Sequence, residues 1–210
     1  KTVIMAAAIL DLYAKGYRNF IFFTSLGNIV EKSKLNFLFS ESSKYLFKSP
    51  IMVDGCLIQV NQVTTFDGAS SRDINIMFST TADLHHKLHN PSENSITFEE
   101  LENKMIVLIA DEAHNLSAET SRKLSAEEEL NLKSWEGTVM RLLRLNASEN
   151  VLLEFTATAR LDSDNPEIVE KYVDKALYRY DLKQYRLDGY SKDVNTFEVD
   201  APLMERVLVA

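Results

Sequence analysis

The chain has 210 residues, 45% of them hydrophobic and 26% charged, which is enough to bury one sizeable core and is ordinary for a globular domain. Its net charge of −8, from 23 basic and 31 acidic residues, argues against a stand-alone module that grips nucleic acid with a basic surface. No run approaches the ~18 apolar residues that a membrane span needs. Val3–Leu10 lacks the basic lead and cleavage site of a signal peptide, and the single Cys56 cannot form an internal disulfide. A cytoplasmic location with no membrane partner is therefore expected. The charge is uneven, with seven basic and three acidic residues over Lys1–Pro50 but four and eleven over Glu93–Glu136.

In chain order, Val3–Ala14 reads as a helix with Gly16 beyond its end, Asn19–Thr24 as a buried strand and Leu26–Phe39 as a second helix. Cys56–Val63 and Ile74–Ser79 are β-rich, with Cys56 expected to be an inert buried thiol, and Thr81–His89 is helical. Met105–Ala110 (MIVLIA) is a strand. After a charged segment, Leu132–Leu145 is helical and Val151–Phe155 (VLLEF) is a further strand. Near-continuous apolar strands that alternate with helices predict an α/β fold, a mostly parallel sheet covered on both faces.

In such sheets ligands bind beyond the carboxyl ends of the strands. The residues that follow the four strands there are Thr24-Ser25, Ser79-Thr80-Thr81, Asp111-Glu112 and Thr156-Ala157-Thr158. Hydroxyls and carboxylates at every such position predict a site on one edge of the sheet. An apolar strand that ends in Asp-Glu suits magnesium-dependent phosphate cleavage: the first carboxylate takes the metal, and the second orients and deprotonates water. Asp54, Asp67 and Asp73 read as loop acids. His85, His86 and His89 read as a solvated helix face, because His86 stands where a metallopeptidase helix needs Glu. Trp135, Met140 and Leu142-Leu143 form a core-facing stripe, and Asp188-Gly189-Tyr190 reads as a turn before a last strand.

The run Asp111-Glu112-Ala113-His114 at a strand end, followed one helix and one strand later by Phe155-Thr156-Ala157-Thr158-Ala159, resembles motifs II and III of the DEAH-type superfamily 2 helicases. Lys1-Thr2 before a helix then resembles the last two residues of a Walker A loop, whose glycines and preceding strand would lie before Lys1. The resemblance extends over nearly the whole chain. Leu84-His-His-Lys-Leu-His-Asn-Pro-Ser-Glu-Asn94, Thr97–Leu101, MIVLIADEAH, LLEFTATA, Lys171–Lys175, Tyr180–Gln184 and Asp188–Val194 are similar to the Res subunit of type III restriction enzymes. Asn115, where that group often has a second His, and Ala159-Arg160, where it often has Ile-Asp, depart from it.

The resemblance implies a RecA-like P-loop NTPase fold, with a first motor domain over residues 1–194 and residues 195–210 starting the connection toward a second motor domain. It implies ATP and Mg2+ as cofactors. Lys1 and Thr2 would hold the phosphates, Thr2 and Asp111 the metal, and Glu112 would be the base. His114, Thr156 and Thr158 would couple the nucleotide to the rest of the motor, and Thr24, Ser25, Ser79 and Thr80 would meet a nucleic-acid backbone. The partners it implies are DNA and a methyltransferase/specificity (Mod-type) subunit. The alternative is a nucleotide-dependent switch that does not move along DNA, or an inactive fragment.

Overall fold

The computed structural model describes residues 1–115, 126–157, 170, 172 and 174–191. The chain divides into two compact units, Lys1–Val169 and Glu170–Ala210. The described strands of the first unit are β1 (Asn19–Thr24), β2 (Ile51–Val53), β3 (Cys56–Ile58), β4 (Val60–Gln62), β5 (Ile74–Thr80), β6 (Ile106–Asp111) and β7 (Val151–Phe155). Its described α-helices are α1 (Thr2–Ala14), α2 (Gly27–Phe37), α3 (Thr81–His89), α4 (Phe98–Leu101) and α5 (Ala126–Leu145).

Five of these strands form one parallel sheet in the order β4-β5-β1-β6-β7. Side chains alternate across it, so each inner strand feeds two cores. Phe20, Phe22, Ile76, Phe78, Val107 and Ile109 pack with Met5, Ile9 and Tyr13 of α1 and Val30 and Phe37 of α2. Ile21, Phe23, Met77, Leu108 and Ala110 face the other way, onto Leu84 and Leu88 of α3, Phe98 and Leu101 of α4, and Val139 and Leu142 of α5. The near-continuous apolar reading of the strands follows from this double burial. Helix α1 stops where expected: Gly16 takes φ +102, and Tyr17 N–H returns to the Leu12 carbonyl at 3.0 Å.

The β-rich run Cys56–Val63 is not one strand. β3 pairs antiparallel with β2 in a separate hairpin, while β4 joins the edge of the main sheet. The break falls at Gln59, whose N–H donates to the buried Asp73 carboxylate (3.1 Å) while its carbonyl accepts from Ile74 N–H (2.9 Å). Asp73 is thus a structural anchor rather than a plain loop acid. Burial pushes its carboxyl up, but the Ser70 hydroxyl, the Gln59 N–H and Arg72 together hold it below the usual carboxylate range. Cys56 is exposed, contrary to the expected buried thiol, because the hairpin turn at Asp54 and Gly55 carries it away from both cores.

Helix α5 starts at Ala126, six residues before Leu132, since Ala-Glu-Glu-Glu extends a helix readily. Of its stripe, Leu142 is buried, while Trp135, Met140 and Leu143 are half-buried. The histidine face of α3 is not simply solvated. His85 Nδ1 and His89 Nε2 lie 2.7 and 3.1 Å from the buried Thr138 hydroxyl of α5, which itself donates to the Ser134 carbonyl. His86 remains exposed. In the second unit, α6 (Leu182–Leu187) is capped by the Asp181 carboxylate and ended by Gly189 at φ +78. The turn at Asp188-Gly189 is thus a helix C-terminus; the strand expected after it lies outside the described residues. No helix among the described residues is long and apolar enough to cross a membrane.

Two outcomes follow from this packing. Asn150 bridges the layers, accepting from Ile106 N–H (2.9 Å) and donating to the Leu142 carbonyl (3.0 Å). Asn150→Ala leaves both backbone groups buried and unpaired, and should lower stability in urea unfolding by about 2–4 kcal/mol; a loss under about 0.5 kcal/mol would mean that the bridge contributes nothing net. Partial burial, then His89 and His86, hold the His85 imidazole below its usual range. The unfolded chain therefore takes up that proton first. The stabilisation is present above about pH 6.5 and is lost as pH falls below it. The melting temperature should drop between pH 7 and 5, and less steeply in His85→Gln; parallel profiles would remove His85 as the cause.

Candidate functional site

The carboxyl ends of β1, β5, β6 and β7 lie on one edge of the sheet because all four strands run parallel in register. β6 is buried along its whole length, so the carboxylate of Asp111 enters this edge on a fixed backbone and is only 8% exposed. Its Oδ1 accepts from the Glu112 N–H at 2.9 Å. Glu112 then takes φ +52, the left-handed region that a non-glycine residue enters at a cost of about 1–3 kcal/mol. That reversal ends the strand abruptly and starts the 3-10 turn Ala113–Asn115, which Asn115 N–H closes onto the Glu112 carbonyl.

Lys1 stands just before α1. Its ammonium donates to Glu112 Oε1 and lies 3.3 Å from Asp111 Oδ1, so one cation spans the two carboxylates. Helix α1 packs on the same layer as Ile109, which delivers Lys1 to the Asp111 side of the sheet. Thr2 is half-buried in the first turn. His114 Nδ1 lies 2.9 Å from the Thr156 hydroxyl and 3.4 Å from Glu112 Oε2. Asp111 pairs with Phe155 across β6 and β7, so Thr156 is one step beyond and next to Glu112. Lys1, Asp111, Glu112, His114 and Thr156 are thereby one connected group. Thr158 lies outside the described residues.

The hydroxyls expected on a nucleic-acid track divide. Ser25 is half-buried, with its Oγ 3.4 Å from Asn115 Nδ2. Thr80 is half-buried and caps α3 through the Asp83 N–H (3.1 Å). Thr24 and Ser79 are instead 0% and 4% exposed, beneath the surface on which a backbone would lie. The two are buried in different layers: Thr24 shares the face of Phe22 and α1, and Ser79 the face of Phe23 and α3. Asn115 was met in the sequence only as a departure from the family pattern. Its contact to Ser25 joins the carboxylate turn to the β1 loop, and the signal was its place at the end of a tight turn that follows Glu112.

Among the described residues no group of three or more His, Cys, Asp or Glu side chains could hold a metal ion. The carboxylates at the end of β6 fit magnesium, which keeps several waters and needs only one or two carboxylates beside the phosphates of its substrate. Asp111, held at a strand end, supplies such a carboxylate.

A parallel sheet with helices on both faces, and with its charged residues gathered at the strand ends, defines a RecA-like α/β architecture. The family description "Type III restriction enzyme, res subunit" matches residues 1–161, and the chain belongs to that family. It is also 38% identical, over 226 aligned positions, to the probable type III restriction-modification enzyme HindVIP Res subunit of Haemophilus influenzae. That alignment covers 100% of this chain and 43% of the relative's length. No solved structure matches the chain. The protein thus carries a helicase-like domain of the Res family.

Proposed function

We propose that this domain hydrolyses Mg-ATP to drive a DNA translocase, as part of a type III restriction enzyme that works with a methyltransferase/specificity (Mod-type) subunit. The observation that carries the reading is the meeting of Lys1, Asp111, Glu112, His114 and Thr156 at the ends of two neighbouring strands. Family membership supports ATP as the nucleotide.

Each residue has work that suits its place. Lys1 already sits against two carboxylates, and its ammonium would turn to the β- and γ-phosphates when nucleotide arrives. Thr2, in the first turn of the same helix, and Asp111 would hold magnesium, which when bound neutralises charge on the phosphate oxygens. Glu112 would orient the attacking water and accept its proton. Releasing Glu112 from Lys1 is a requirement for that step, so phosphate binding and base activation are linked through one ammonium. His114, between Glu112 and Thr156, would report the state of the nucleotide to β7 and, through Thr156 and Thr158, to the rest of the motor.

DNA would be met by the partly exposed hydroxyls, Ser25 and Thr80, through phosphates rather than bases. Thr24 and Ser79 would act from beneath them.

In the full-length protein Glu112→Gln should lower DNA-stimulated phosphate release by about 10²–10⁴-fold while Mg-ATP still binds, because the amide keeps the shape and loses the base. Asp111→Asn should instead weaken the magnesium-dependent part of binding. Near-normal turnover by Glu112→Gln would remove Glu112 as the base. Thr156→Ala should keep much of the ATPase and lose triplex displacement on linear DNA, because a hydroxyl contact of this kind carries ~1–3 kcal/mol of coupling. Equal losses in both assays would assign Thr156 to catalysis or folding. ATP hydrolysis with no displacement by the wild-type protein would favour a nucleotide switch over a motor.

A further inference from the structure

Thr24 presents a problem that the DNA-backbone reading does not solve. It ends β1 with no exposure at all, and its Oγ1 has no hydrogen-bond partner among the described residues. A buried hydroxyl without a partner is a net penalty, and the isosteric valine avoids it. β-Branched residues suit this strand equally well, so secondary structure gives no reason to prefer Thr over Val.

Its position supplies a reason. The β1–β6 register runs from Asn19 opposite Ile106 to Phe23 opposite Ala110. One step further, Thr24 and Asp111 are side by side at the carboxyl ends of adjacent strands, about 4.8 Å apart along the hydrogen-bonding direction. Alternation puts both on one face, the layer that contains Phe22, Ile109 and helix α1, at whose start Lys1 stands. The other orphaned hydroxyls at this edge are placed differently. Ser79 is opposite Phe23, which packs in the other layer, and Thr81 opens α3 in that layer. Among the described residues, Thr24 is thus the unpaired hydroxyl that shares Asp111's face.

We propose that Thr24 is a positioning residue for the metal: its hydroxyl bonds a water in the hydration shell of a divalent cation held by Asp111. The inference rests on the Mg-ATP reading of the site. Magnesium gives up its waters reluctantly, and each of them needs a partner. A neutral hydroxyl one strand spacing from the carboxylate can accept from such a water without adding charge. The Thr24 hydroxyl has no partner among the described residues, and the Lys1 ammonium spans the carboxylates of Asp111 and Glu112. Supporting groups of this kind orient what the direct ligands hold.

The test uses the full-length protein with Thr24→Val and Thr24→Ser. A fluorescent ADP analogue is titrated at varied Mg2+ and again in EDTA, and Mn2+ binding is followed by electron paramagnetic resonance. Thr24→Val should raise the half-saturating Mg2+ and the Mn2+ dissociation constant by roughly tenfold. It should leave binding in EDTA unchanged, with a melting temperature equal to or above wild type. Thr24→Ser should restore metal affinity. A Thr24→Val protein with the wild-type Mg2+ midpoint would overturn the proposal, as would equal losses with and without metal or a lowered melting temperature. If the wild-type protein bound nucleotide with no dependence on Mg2+, the Mg-ATP reading itself would fall and take this inference with it. A normal wild-type curve beside an unaffected variant removes the inference alone.

Discussion

Strand β6 is enclosed from Ile106 to Asp111, with β1 and β7 bonded on either side and helices on both faces. A carboxylate cannot be tolerated inside such a strand, since burying its charge unpaired would be prohibitively unfavourable. It can stand at a strand end, where the sheet stops and a cation can reach it. Lys1 is that cation, brought there by α1, whose Met5, Ile9 and Tyr13 hold it on the core. The site therefore inherits its rigidity from the most apolar part of the chain. Loosening β6 would move Asp111, Glu112 and the turn that carries His114 together.

Much of this was legible in the sequence because the signals were local. NFIFFT, MIVLIA and VLLEF each put apolar residues on both faces of a short run, and a strand buried on both faces has that pattern. Gly16 marked the end of α1 through its access to positive φ. The Asp-Glu pair marked the site edge because polar residues immediately after an apolar strand have one place to go in a parallel sheet. From these alone Asp111, Glu112 and Thr156 could be placed on one edge; Lys1 and His114 joined them only through the family resemblance, and the sequence did not show that Lys1 spans both carboxylates.

What escaped the sequence was set by long-range partners. Gln59 is an unremarkable residue until Asp73, distant in the chain, takes its N–H and sends β3 and β4 into different sheets. Cys56 has a hydrophobic neighbourhood in sequence but sits at a hairpin turn. His85 and His89 read as solvated because their shared partner, Thr138, is on another helix. Asn150, between α5 and β7, satisfies a strand N–H and a helix carbonyl at once. In each case a single polar contact across the fold decided the outcome, and periodicity carries no information about such contacts.

The same distinction separates the hydroxyls of the site edge. Composition and position made Thr24, Ser25, Ser79 and Thr80 one class, four small polar residues after apolar strands. Burial divides them into an outer pair, Ser25 and Thr80, which have partners in Asn115 and Asp83, and an inner pair, Thr24 and Ser79, which have none among the described residues. An inner hydroxyl without a partner is disfavoured by folding alone, as is a glutamate at φ +52. Both departures occur at the edge where the charged residues gather, and the cores on either side are apolar and regularly packed. Local rules tend to be broken where function requires a conformation that folding alone would not select. At this edge that requirement falls on both sides of Asp111: on Glu112, which follows it in the chain, and on Thr24, which stands beside it in the sheet.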